Sequence, residues 1–327
     1  MIVYRRLIVI ALILALAVIS LGAYVRLSDA GLGCPDWPGC YGQLTPHHAA
    51  DEINAELANR PQGPVSHAKA WKEMAHRYLA GLLGLLVVAI AVTSWRQREV
   101  SGGSPVLPTL LLGLIVFQAL LGMWTVTLLL KPLVVSGHLL GGMATFALLL
   151  WLWLRERARF GNAYYARADH LIRVAALGLV LVITQIALGG WVSTNYAALA
   201  CSDFPQCQGQ WLPPMDFEHG FSVYRELGET ATGALLPMNA LTAIHWTHRL
   251  GALIVAGYLI WLATQLFRTP GYRSIGVAIV SLLVLQVGLG IGNVLASLPL
   301  ALAVAHNTGA ALLLASLVVL NYRVRRR

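Results

Sequence analysis

Four histidines, His76, His138, His248 and His306, stand within long apolar runs and form two matching pairs. His76-Arg77 recurs as His248-Arg249. Gln118-Ala-Leu-Leu-Gly122 precedes His138 and Gln286-Val-Gly-Leu-Gly290 precedes His306, with one constant spacing between the copies. An ionisable side chain in an apolar helix is costly and usually faces a cavity or a partner. One such histidine is as well explained by a structural hydrogen bond, whereas four at repeated positions favour a shared task. Imidazole is a common axial ligand of haem iron. Two imidazoles facing each other in each half would make two metal-porphyrin sites, one per half.

The surroundings of the pairs fit a flat ring. Gly141 follows His138 at i+3 and Gly309 follows His306 likewise, while Ala80 and Ala252 follow His76 and His248 at i+4. These spacings share a helix face; small residues there leave room for a macrocycle, and they serve close helix packing equally well. Arg77 and Arg249 can snorkel toward a polar boundary or pair with haem propionates, whose carboxylates suit a guanidinium. Lys72 and Lys131 are weaker candidates for that pairing. His47, His48, His67 and His219 fall in polar loops and His170 in an arginine-rich connection, so these are expected to be solvated.

The two halves differ at one position. Three residues before His76 stands Glu73, and three before His248 stands His245. A carboxylate there has a plain reading, an acid favoured near a helix N-terminus. Beside a haem it could also move protons or stabilise a cationic intermediate. On this difference the first pair is expected to be the reacting site and the second its support.

The elements that carry these residues follow from composition. Of 327 residues 57% are hydrophobic and only 11% charged, against roughly a quarter charged in soluble domains. The apolar runs approach or exceed the ~18 residues of a membrane span. Spans are expected at 7–25, 74–94, 108–130, 134–154, 171–194, 241–266, 274–297 and 300–320, so that the chain is an all-α integral membrane protein. The first run, Leu7 to Val25, leads into a loop whose pattern recurs later, and is read as a retained span rather than a cleaved signal. The net charge of +9 does not mark a nucleic-acid partner, because the positive residues sort by side. Arg96, Arg98, Arg155, Arg157, Arg159, Arg167, Arg173, Arg268 and Arg273 lie in connections after even-numbered spans; Arg5, Arg6, Arg323, Arg325, Arg326 and Arg327 lie at the termini. Most acids lie in the opposite connections. The positive-inside rule then puts both termini in the cytoplasm and the long loops 26–73 and 195–240 outside. Eight spans divide into four plus four with equal orientation, predicting two tandem four-helix bundles, 1–160 and 161–327, related by a pseudo-twofold axis along the membrane normal.

Each outer loop holds a CxxxxxC pair. The strings are Cys34-Pro-Asp-Trp-Pro-Gly-Cys40 and Cys201-Ser-Asp-Phe-Pro-Gln-Cys207, both with Asp two residues after the first Cys, then an aromatic residue and Pro. Outside the cytoplasm disulfides persist, and two disulfides closing short loops are the favoured reading. A zinc site is disfavoured by the spacing, and a redox role for one pair stays open. The polar stretch Ala49 to Arg60 is expected to form a short helix over the first bundle.

The long string from Gly22 through Cys34-Pro-Asp-Trp-Pro-Gly-Cys40 to Gly42, together with Glu73-x-x-His76-Arg77, His138, His248-Arg249 and His306, resembles the heme A synthase family across the whole chain. That resemblance implies oxidation of the C8 methyl of haem O to a formyl group. It implies a substrate haem O between His76 and His138, and a haem b cofactor, with its iron, between His248 and His306. It matches Glu73 to the family's essential glutamate and the four cysteines to the family's loop cysteines. It also implies a haem O synthase and an electron donor as partners, and a place in the plasma membrane with the haem sites toward the outer side. The main rival is a two-haem b-type membrane electron-transfer protein linked to quinol. Such proteins place haems near both faces, whereas all four histidines here fall at the outer side. A transporter of parallel repeats would show polar clusters at the midplane, and Gln118, Gln185, Gln286 and Asn293 are scattered.

Overall fold

The computed structural model describes residues 2–101, 103–159 and 168–326. Among them the chain is all-helical: α1 (Ile2–Leu27), α2 (Ala50–Asn59), α3 (His67–Ser101), α4 (Val106–Thr127), α5 (Pro132–Ala158), α6 (Leu171–Thr194), α7 (Phe217–Gly220), α8 (Met238–Arg268), α9 (Arg273–Leu295) and α10 (Leu300–Arg325). A short 3-10 turn at Ala197–Leu199 follows α6. Eight of these helices, all but α2 and α7, are long and apolar enough to cross a membrane, and the protein is a multi-pass membrane protein. Hydrocarbon offers no hydrogen bonds, so each span satisfies its backbone internally.

The helices outrun the expected spans. α3 begins at His67 rather than near 74 and runs on through Arg96 and Arg98. Hydropathy marks only the apolar stretch, while the helix continues into water wherever polar residues favour it. His67 therefore starts a helix instead of lying in a loop, and its Nε2 meets Asn54 Oδ1 of α2 at 2.9 Å.

Two compact units emerge, 1–145 and 146–327. In the first, α3 packs on α1 and α4. Helix α5 closes the ring, with Gly141 against the Gln118 side chain of α4 and Gly142 beside Ile19 of α1. In the second, α6 packs on α8 and α10, and α9 packs on both α8 and α10. Asn321, fully buried, donates to the Ala175 carbonyl at 2.8 Å and ties α10 to α6; the Tyr258 hydroxyl donates to the Val174 carbonyl and ties α8 to α6. The C-terminal half of α5 belongs with this unit: Trp151 meets Tyr322 edge-on and the Ala158 carbonyl accepts from Arg326. The division expected at 160/161, and Arg167 and Arg327, lie outside the described residues.

The repeat extends to the backbone. The α4–α5 turn holds Leu129 and Leu130 at positive φ, and the α9–α10 turn holds Ser297 and Leu298 so. Such residues are strained by roughly 1–2 kcal/mol each. Both turns are closed by the same bond, Leu130 N–H to the Thr125 carbonyl and Leu298 N–H to the Asn293 carbonyl.

Candidate functional site

The two long loops, 26–73 and 195–240, build one device twice. Cys34 is disulfide-bonded to Cys40 and Cys201 to Cys207. The aspartate inside each ring explains its place in the sequence. Asp36 accepts from the amides of Tyr41 and Gly42 at 2.6 and 2.7 Å, and Asp203 from those of Gln208 and Gly209 at 2.7 and 2.8 Å. The Gly209 amide, then that of Gln208, holds the Asp203 carboxyl below the usual range. Each ring precedes a one-bridge turn, Cys40 with Gln43 and Cys207 with Gln210. In the first unit Ile53 of α2 packs with both cysteines, Ala70 and Met74, so the polar segment forms a helix that covers the ring.

The ring is bolted to the helix that carries the histidine. Glu73, 4% exposed, accepts from the Cys34 amide at 2.9 Å and from Arg77. Arg77 also donates to the carbonyls of Asp36 and Gly39 within the ring. In the second unit Arg249 donates to the carbonyls of Gln206 and Cys201, both at 2.8 Å, and to His245 Nε2 at 3.1 Å. The Cys201 amide lies 3.4 Å from His245 Nδ1. Both arginines thus spend donors on loop carbonyls, and a propionate would have to share them. Both His245 nitrogens face donors from the loop and from Arg249. A neutral imidazole has one acceptor nitrogen, and the charged Arg249 donor at the shorter distance takes it. Lys72 lies over the Tyr24 ring at 5.0 Å, another engagement away from the histidines.

One turn further along α3 and α8 stand the histidines. His76 and His138 face each other with ring centroids 6.4 Å apart and planes at 81°. The Nδ1 atoms of both are buried without a hydrogen-bond partner. Two imidazoles on opposite sides of one metal ion, each nitrogen about 2 Å from it, place their ring centres about 6 Å apart. The pair therefore fits an iron porphyrin held between two histidines. In the second unit His306 lies close to His248, and His306 Nδ1 is likewise buried without a partner. Those residues fit the same kind of group. Among the described residues no cluster of three or more His, Cys, Asp or Glu side chains could hold a bare metal ion.

Four glycines seat the four rings. A Cβ on Gly22 or Gly189 would lie 2.9 or 3.0 Å from Cε1 of His76 or His248; on Gly122 or Gly290 it would lie 3.4 or 3.1 Å from Cε1 of His138 or His306. Each imidazole is pressed against a neighbouring helix backbone, which fixes its plane. Sequence reasoning missed Gly22 and Gly189, although Gly22-Ala-Tyr-Val25 and Gly189-Gly-Trp-Val192 precede Cys34 and Cys201 at equal distance. It also missed Arg225, buried over Trp191 and donating to Asn195, the Glu229 carbonyl and the Glu226 carbonyl. Burial holds that guanidinium below its usual value. His47, His48 and His170 are exposed, and His219 pairs with Asp216.

The fold defines an all-helical multi-pass membrane protein whose described residues bring His76 to His138 and His248 to His306. Comparison with known proteins agrees. The chain matches the COX15-CtaA family, described as cytochrome oxidase assembly protein, over residues 5–318, and belongs to it. It is 45% identical over 313 residues to "Heme A synthase" of Shewanella oneidensis, covering 96% of this chain and 94% of that protein. It is 30% identical to the protein of the same name from Maricaulis maris, covering 96% and 93%. The same name is carried by a Shouchella clausii protein 30% identical over 251 residues, covering 74% and 75%.

Proposed function

We propose that the protein is a heme A synthase: it takes haem O from the membrane and oxidises the C8 methyl of its ring to a formyl group. The N-terminal unit holds the substrate between His76 and His138. The C-terminal unit holds a haem b cofactor between His248 and His306. The observation that carries this reading is the His76–His138 pair, spaced for one iron and standing one helical turn from a buried carboxylate. The names of the relatives support it.

A bound haem b supplies redox-active iron. The chain's own residues do the rest. His76 and His138 fix the substrate in depth and tilt, and the glycines at their backs fix the rings in turn. Glu73 is held at both oxygens, by Cys34 and Arg77, and a carboxylate so oriented can accept or return a proton at the reacting edge. Burial under the disulfide ring keeps bulk water from the site. Arg77 and Arg249 are candidate propionate contacts that would share their donors with the loop. Methyl to formyl is a four-electron oxidation whose oxidant and oxygen atom come from outside the chain; an external electron donor and a haem O synthase are the partners this reading implies. Charge asymmetry supports both termini in the cytoplasm and the haem sites toward the outer face of the plasma membrane.

The test is direct. The protein is purified from cells that also make haem O, and the extracted haems are identified by chromatography and mass. Haem b together with a formyl haem is expected; haem b alone in every preparation would sink the proposal.

A further inference from the structure

Just past each disulfide ring, at matching places, the chain leaves an apolar side chain uncovered. Leu44 stands four residues after Cys40, and Trp211 four after Cys207. Leu44 is 82% exposed and Trp211 68%, with Leu212 exposed beside it. Both tips are nonetheless fixed in place. The Tyr78 hydroxyl of α3 donates to the Leu44 carbonyl, and Trp246 Nε1 of α8 donates to the Trp211 carbonyl at 3.2 Å. Each loop is thus held at two points of its histidine helix, by Arg77 and Tyr78 on α3 and by Arg249 and Trp246 on α8. Those aromatics stand at the loop end of an exposed apolar face. Leu82 and Leu85 continue it from Tyr78, and Leu250 and Leu253 continue it from Trp246, at the same i+4 and i+7 spacing, which keeps one side of a helix. Both helices are long and apolar enough to cross a membrane.

We infer that both loop tips dip into the bilayer, so that Leu44 and Trp211 are interfacial anchors whose partner is lipid. Depth is the first argument. Exposed Tyr78 and Trp95 lie at the two ends of the α3 face, about 26 Å apart at 1.5 Å per residue, against a hydrocarbon core of about 30 Å. Exposed aromatics at that separation mark the two boundaries of a bilayer, and Leu44 is tied to one of them. Continuity is the second. A side chain held over Tyr78 or Trp246 extends the lipid-facing surface of a span. Single exposed apolar residues are ordinary; two at matched positions, each tied to the aromatic that opens such a face, share one surrounding. Helix α2 in the first loop differs, bearing exposed Asp51 and Glu52 that suit water. Tyr78 and Trp246 are each two residues from a histidine, about 3 Å along the helix, so the anchors lie at the level of the histidine pairs. Anchor and arginine together fix each histidine helix in depth, and the inference stands whichever haem each pair holds.

The experiment uses the full-length protein in lipid nanodiscs. All four cysteines are paired in disulfides, so a nitroxide can be placed on one added thiol. Leu44→Cys and Trp211→Cys report the tips, Leu85→Cys the lipid-facing surface of α3, and Glu52→Cys the acidic helix α2. Collision with oxygen, which concentrates in lipid, is compared with collision with a water-soluble nickel chelate. Labels at positions 44 and 211 are expected to meet oxygen more than nickel, as at 85, with the order reversed at 52. Tyr78→Phe, which removes the donor to the Leu44 carbonyl, is expected to shift the label at 44 toward nickel and leave 211 unchanged; Trp246→Phe is expected to do the converse. A water-like order at either tip would overturn the inference for that loop. Labels screened from both reagents, with spin–spin broadening between copies, would overturn it in favour of a second copy of the chain. Because an added thiol can disturb a disulfide, the unaltered protein is also photolabelled with a lipid carrying a carbene precursor in its upper acyl chain. Adducts on residues 43–45 and 210–212, and none on 50–60, are expected; adducts on neither tip would overturn the inference as well.

Discussion

Beneath its disulfide-closed loop the N-terminal unit keeps a carboxylate where the C-terminal unit keeps an imidazole. The frame around that position is otherwise the same. A cysteine amide from a disulfide ring approaches the side chain from one side and an arginine four residues on approaches from the other. Glu73 is a carboxylate that accepts at both oxygens, from the Cys34 amide and from Arg77, while His245 is an imidazole that accepts from Arg249. The comparison teaches that the frame is structural, holding a loop to a helix, and that under the proposed function the chemistry falls to the one residue set inside it.

The sharpest way to break this comparison is Glu73→Gln, which keeps the shape and removes the carboxylate. Formyl-haem production is expected to fall about 10²- to 10⁴-fold, the usual worth of a general acid or base, with haem b content unchanged. The matching His245→Gln is expected to leave turnover within a few-fold. Equal losses in the two variants, measured by haem extraction, would show that the position is structural in both halves.

Next in size are the ligand substitutions. His306→Ala is expected to abolish the low-spin spectrum of the resident haem, and His138→Ala to spare it while halting turnover. A low-spin spectrum that survives His306→Ala and vanishes in His138→Ala would exchange the roles of the two units.

The glycine seats should show a smaller effect. Gly22→Ala and Gly189→Ala each push a methyl toward an imidazole, a strain of about 1–3 kcal/mol. Gly22→Ala is expected to weaken substrate retention and Gly189→Ala cofactor retention, read as haem content of each kind after purification. Loss of haem b from Gly22→Ala alone would contradict the assignment.

The smallest effect concerns pH. Asp203 is held below the usual carboxyl range by the Gly209 and Gln208 amides. Its contribution to loop stability is therefore complete above the unfolded carboxyl value and fades as pH falls through the lowered folded one. Hydrogen exchange at the Gln208 and Gly209 amides should quicken on acidification through that window. Rates that change only by the intrinsic pH dependence of exchange would refute it.

Much of this was legible in the sequence because the signals were long or repeated. Eight apolar runs gave eight helices, since hydrocarbon thickness sets a length that composition cannot hide. The His76-Arg77 repeat and the repeated Gln-x-x-x-Gly string before His138 marked the residues that the fold brings together at the His76–His138 pair. The disulfide strings marked the loops, although not their purpose. The ring carbonyls that receive Arg77 and Arg249 are main-chain atoms, with no residue type to reveal them. Gln185 looked like a stray polar residue because its partner His248 is distant in sequence and only packing joins them. The glycine seats were hidden for the same reason: glycine also serves ordinary helix contact.

The ring that grips Arg77 closes over a sequence separation of 6 residues, and all of it is translated before Glu73 and Arg77. Its closure needs no distant segment, so it can be complete while α3 is still being made. The receptacle would then exist before its guest, and the late-arriving helix would find its depth by docking an arginine into a finished socket.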